Sequence, residues 1–347
     1  MASSILSSFG PVELVSAALS LPLFSLVVAA VLVSGAMIMA RLRRTSESRT
    51  SATGLRHRTT PARYRLELQA LGGASVLVIA VYAAENVVRG YLLNLADVVE
   101  WWQYATPVFT AAVGLLVVLV LIAVRGTTRS EVPVVPTERR VWSSFSSRAA
   151  LIGAGSAIVA LLGTTIAAGL ASSADDRGRY IHLELPVPNT QVEALHPWFY
   201  GWSFGVPVLV CLTALVVVTG AVLQGNAHRP FLRPDTVGAE SRARTTIASA
   251  VTRITTAGAL LALGGAFRFI GRYGSMSQVT VSGDGGSETY DIVWQYGGIA
   301  LAAGLLAPLL EVVAFTLLLV VAGWLRIGNS SGRPTASAPG PQAESVR

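Results

Sequence analysis

The sequence predicts an all-α integral membrane protein, a bundle of seven transmembrane helices with the N-terminus outside and the C-terminus in the cytoplasm. Three observations carry that expectation. The chain has 347 residues, of which 52% are hydrophobic and only 13% charged, about half the charged fraction of an ordinary soluble domain. Its apolar residues gather into stretches of about 20 or more, long enough to cross a hydrocarbon core of roughly 30 Å as helices. The loops between these stretches alternate between arginine-rich and acidic, as the positive-inside rule requires.

The spans fall at Val12 to Ala40, Leu68 to Leu93, Thr106 to Val124, Ala149 to Ser172, Trp202 to Leu223, Thr245 to Phe269 and Val293 to Leu325. The first has no basic residue before it and an arginine cluster after it. A cleaved signal peptide has the opposite charge order and a shorter apolar core, so this segment reads as a retained helix with an exported N-terminus. The first inner loop holds Arg41, Arg43, Arg44, Arg49, Arg56, Arg58, Arg63 and Arg65, and the second holds Arg125, Arg129, Arg139, Arg140 and Arg148. A third inner loop adds Arg229, Arg233, Arg242 and Arg244, and the tail Arg326, Arg333 and Arg347. Acidic residues run the other way, with Glu13, Asp97, Glu100, Asp175, Asp176, Glu184, Glu193, Asp284, Glu288 and Asp291 on the expected outer side. Tryptophan prefers the headgroup level, and Trp101, Trp102, Trp198, Trp202 and Trp294 fall at the outer boundary, Trp142 and Trp324 at the inner one.

The last segment is long, about 50 Å at 1.5 Å per residue, and Pro308 interrupts it. One kinked, tilted span is the expectation; two short spans are the alternative, and neither half comfortably reaches the roughly 17-residue minimum. Residues 1–327 form one transmembrane domain in this reading. The Ser-, Gly-, Pro- and Ala-rich tail 328–347 is expected to be disordered.

Two outer segments are long enough to fold. Ser277 to Val281 and Glu288 to Val293 flank a Ser-Gly-Asp-Gly-Gly turn, which predicts a small extracytoplasmic β-hairpin cap. Arg179 to Leu185 alternates and is expected to add a third strand; unstructured loops are the alternative. The fourth span offers Gly153, Ala157, Gly163 and Ala167, small-xxx-small pairs that let helix backbones approach.

Ionisable residues inside the spans mark the candidate site, since each is unfavourable by about 2.5–3.5 kcal/mol at the bilayer centre. Glu311 lies at the middle of the seventh segment, three residues after Pro308, whose ring frees the carbonyl of Gly304 one turn earlier. Glu85 and Arg89 stand four apart on the second span and can pair across one turn. Arg253 and Arg268 lie toward opposite ends of the sixth, where long side chains snorkel to the headgroups. Thr245, Ser249, Thr252 and Thr256 add a polar stripe to its inner half. Two readings stand: a polar path for proton or solute coupling, or buried interhelical glue with Glu311 protonated.

Several chemistries are excluded. The four histidines, His57, His182, His196 and His228, all fall in expected loops, so no helix supplies a haem ligand, and no His-Glu-x-x-His zinc site exists. All 26 basic residues are arginine, and a retinal Schiff base needs a lysine amine. The lone Cys211 makes neither an internal disulfide nor a cysteine metal site. The short inner loops carry no Walker motif or nucleophilic triad. No catalytic set, metal or cofactor is expected, and the arginine placement speaks for topology rather than nucleic acid.

The expected partner is the lipid bilayer, in the plasma membrane of a bacterium whose GC-rich genome explains the arginine, alanine, valine and glycine bias. The leading expectation is a transporter- or permease-type component without an ATPase of its own, one that calls for ATPase or regulator partner subunits. The alternative is a seven-helix sensor or scaffold with an outer binding cap and a basic cytoplasmic face.

Overall fold

The computed structural model describes residues 23–48, 62–92, 100–125, 141–185, 194–232, 234–283, 286–292 and 294–325. Among them are seven helices long and apolar enough to cross a membrane. They are α1 (Phe24–Ser48), α2 (Ala62–Ala84, continued by a π-helical stretch Glu85–Leu92), α3 (Thr106–Arg125), α4 (Arg148–Ala171), α5 (Trp202–His228), α6 (Val237–Gly274) and α7 (Gly297–Ala322). The start of the first expected span and the tail from Gly328 lie outside the described residues. The seventh segment is one continuous helix that runs through Pro308.

Apolar side chains pointing away from the bundle show which helices face lipid. Val31 on α1, Val124 on α3, Ile152 and Leu170 on α4, and Ile299 on α7 are exposed, an arrangement that suits hydrocarbon and not water. The sixth helix is different. Its ring of buried residues includes Ala250, Ile254, Ala257, Leu261 and Ala266, as expected of a helix enclosed by others.

Small residues let the neighbours of α6 approach. A Cβ placed on Gly258 would lie 2.9 Å from the Ala111 Cβ of α3, and one on Gly271 would lie 2.5 Å from the Cα of Gly304 on α7. Of the small residues expected to pack on α4, Ala157 is buried and Ala167 is exposed. Gly153 and Gly163 have open space where a Cβ would go, and α4 packs through Ala154, Ala157, Leu161, Thr165, Ala168 and Gly169. Glycine spacing marks a close approach only where a partner helix lies on that face.

Two small sheets sit at the arginine-poor end of the bundle. β3 (Gln278–Gly283) and β4 (Gly286–Asp291) pair antiparallel, and residues 284–285 of the expected turn lie outside the described residues. The expected third strand does not join them. β2 (Tyr180–His182) pairs with β1 (Ser173–Ala174), directly after α4. Its chain buries Ile181, Leu183 and Leu185 with Phe199 and Tyr200, so hydrophobic anchoring beside its own helix outweighs pairing with a distant strand.

Candidate functional site

Polar side chains gather at both ends of α6. Toward the arginine-poor end, Glu311 of α7 is 4% exposed and is held by two other helices. Arg268 Nη2 of α6 donates to both carboxylate oxygens at 2.8 Å, and its Nε donates to Oε1 at 3.2 Å. Ser25 Oγ of α1 donates to Oε2 at 2.6 Å. A bidentate guanidinium–carboxylate pair is the strongest form of this contact. The Arg268 side chain nevertheless remains 46% exposed.

These partners position Glu311 against its neighbours. It is mid-helix in α7, and Arg268 stands six residues before the end of α6. Tyr82, near the end of the α-helical part of α2, packs edge-on against Phe315 at 5.4 Å. The carboxylate lies beside Gly264 of α6, and the first half of α7 runs on along the last turns of that helix, Gly304 against Gly271 and Ala300 against Gly274.

The other expected site residues are dispersed. Arg268 makes an ion pair with Glu311 instead of reaching freely for headgroups. Arg253 lies over the Trp324 ring, 5.9 Å from its centroid, beside the arginine-rich end of α7. Glu85 opens the π-helical stretch and lines a cavity of about 40 Å³ with Tyr82, Asn86, Gln103 and Tyr104. Arg89 lies in the same stretch, but its side chain, and so the expected pairing with Glu85, falls outside the described residues. Pro308 is buried one turn from Glu311. In the polar stripe, Thr245, Thr252 and Thr256 bond to carbonyls of their own helix, those of Ser241, Ala248 and Thr252. These three threonines thus satisfy themselves locally.

The larger polar cluster, at the arginine-rich end, was not singled out from the sequence. Arg229, just past α5, donates from Nη1 and Nη2 to the two oxygens of Glu67 on α2, at 2.9 and 2.8 Å, and also to the Ile122 carbonyl of α3. Arg244 of α6 is fully buried. It donates to the carbonyls of Arg229 and Pro230 and to Tyr64 Oη, and its guanidinium lies 4.2 Å from the Phe231 ring centroid. Glu240 accepts from Tyr64, Thr236 and the Leu232 N–H, with Arg244 Nη2 at 3.6 Å.

Arg229 and Arg244 read from the sequence as topogenic loop arginines; in the structure they are internal ion-pair partners. The available signals were weak. Glu240 and Arg244 have the i,i+4 spacing of a helical pair, and Glu67 is a lone acid in the first turns of an apolar helix. Neither tells which distant segment completes the network.

Beyond the spans, His182 and His196 have ring centroids 6.3 Å apart, and Trp198 meets His182 edge-on. Asp175 is turned toward Arg179, with 2.7 Å between Oδ2 and Nη2.

Fold and site together define a mostly helical, multi-pass membrane protein with buried ion pairs between its helices. No family model, no curated protein and no solved structure matches the chain.

Proposed function

We propose that the chain is a transporter- or permease-type component of a bacterial plasma membrane, without an ATPase of its own, in which the Arg268–Glu311 pair is the charge-responsive element. The observation that carries this reading is the asymmetry of the pair: a nearly enclosed carboxylate beside Pro308 faces a guanidinium that is 46% exposed. Protonation of Glu311, or an anionic solute competing for Arg268, would release the contact between α1, α6 and α7. Intramembrane ionisable residues of this kind commonly serve solute or proton pathways. In the same reading the arginine-rich end faces the cytoplasm and docks any energising or regulatory subunit, and the β3–β4 hairpin belongs to an extracytoplasmic cap.

Uptake and efflux measured across a broad solute panel test the function. A deletion strain is expected to differ from its complement for at least one solute, and Glu311→Gln is expected to fail to restore the difference at normal membrane abundance. No difference for any solute counts against the proposal. Orientation is tested with an impermeant maleimide: in a Cys211→Ser background, Thr280→Cys labels in intact cells and Val141→Cys only after permeabilisation.

A second reading, a sensor or scaffold, is favoured by the folded segment after α4. Ile181, Leu183 and Leu185 are all buried there, which gives that end a defined surface instead of bare loops. A partner captured reproducibly from detergent, and lost on deleting the hairpin 278–291, would favour this reading over transport.

A further inference from the structure

Among the described residues, the charges of the arginine-rich cluster do not balance. Two carboxylates, Glu67 and Glu240, stand among three guanidiniums, Arg63, Arg229 and Arg244. Glu67 is taken bidentately by Arg229, and Glu240 accepts from Tyr64, Thr236 and the Leu232 N–H beside Arg244. The excess cation is Arg63. Its guanidinium lies 5.9 Å from the Tyr64 ring centroid, and that of Arg229 lies 5.8 Å from the same ring. All three guanidinium nitrogens of Arg63 are shielded from solvent, and none has a hydrogen-bond partner among the described residues.

A guanidinium that is out of water with no anion is strongly unfavourable. It calls for an acceptor from outside the network. Arg63 is the first residue of the α2 span, the level at which phospholipid headgroups lie. The planar guanidinium fork matches the oxygens of a phosphate, and anionic lipid adds a favourable surface potential at a basic membrane face.

We propose that Arg63 is a binding site for the phosphate of an anionic phospholipid, which completes the Tyr64–Glu67–Arg229–Glu240–Arg244 network. The site stands independently of the transport reading, because it concerns the opposite end of the bundle from Glu311. Lipid fills the acceptor position, neutralises the excess charge and holds the start of α2 against α5 and α6.

The test uses the full-length protein, delipidated in neutral detergent and titrated with phosphatidylglycerol, a diacylglycerol of the same chains, or inorganic phosphate. The readouts are thermal unfolding and lipid retention by native mass spectrometry. Phosphatidylglycerol is expected to raise the unfolding midpoint of the wild type and to bind Arg63→Gln about tenfold more weakly, the loss expected for a charge-assisted hydrogen bond. Arg63→Lys, which keeps the charge but not the fork, should fall between them. Without lipid, Arg63→Gln should unfold no lower than the wild type, since it removes an unpaired buried charge. Equal phosphatidylglycerol affinity in wild type and both variants overturns the site. A midpoint raised as far by inorganic phosphate or by diacylglycerol overturns the assignment to a lipid phosphate.

Discussion

The two ends of α6 solve the same problem in different ways. At the arginine-rich end, Arg229 and Arg244 are buried with their carboxylates, and each bonds backbone carbonyls as well. Moving one helix there would strand several charges and carbonyls at once. At the arginine-poor end, one carboxylate holds a guanidinium that is half in the open. If that pair parts, Arg268 has somewhere to go, because a long cationic side chain can reach the headgroups. The difference suggests a bundle bolted at one end and adjustable at the other, an asymmetry that suits a conformational cycle.

The largest effect is expected from breaking the bolt on one side only. Arg229→Met leaves Glu67 charged and buried, which should destabilise the protein by about 3–5 kcal/mol. The double variant Glu67→Leu with Arg229→Met should recover most of that loss, since replacing a buried pair by apolar residues is often close to neutral. Thermal unfolding in detergent reads both. A single variant as stable as the wild type would mean that this end is not locked.

Packing at the adjustable end comes next. Gly271→Ala would put its Cβ 2.5 Å from the Gly304 Cα and 2.9 Å from its nitrogen. Backbone cannot yield as a flexible side chain can, so a loss of about 1–3 kcal/mol is expected. Gly163→Ala, on the open face of α4, is the control, and should stabilise by up to about 1 kcal/mol through helix propensity. Equal effects would show that the α6–α7 contact is looser than the geometry states.

The pair itself should matter less for stability than the bolt. Glu311→Gln keeps the Ser25 contact and leaves Arg268 a route to the interface, so the expected loss is about 0.6–1.7 kcal/mol, the scale of polar contacts between membrane helices. A loss matching that of Arg229→Met would erase the proposed asymmetry and make Glu311 a second bolt.

These residues also show what a sequence can disclose. The seven helices were legible because an apolar run has one physical use at that length. Glu311 and Arg268 were legible as residues because charge inside an apolar run is conspicuous; their pairing was not, because 43 positions separate them. The bolt was hidden by position. Arg229 and Arg244 lie where topogenic arginines belong, and Glu67 reaches its partner across 162 positions. Charge at a span boundary looks the same whether it faces water or the interior. Helix register, which no periodicity encodes, makes the difference.

The smallest effect lies outside the helices and bears on whether charge also holds the arginine-poor surface. Burial acts to raise the Asp175 carboxyl, but hydrogen bonds from the Arg179 N–H and guanidinium and from the Arg177 N–H outweigh it, so the group is held below the usual carboxylate range. With the folded value below the unfolded one, the contact stabilises the loop fully above the ordinary pKa of 3.8 and loses that contribution as pH falls through the lower folded value. Hydrogen exchange should therefore show the Arg177 and Arg179 amides losing protection as pH falls below about 4, with α6 unaffected. Asp175→Asn should abolish that pH dependence. Unchanged protection across the range would mean that the buried Ile181 and Leu183, and not Asp175, hold the loop in place.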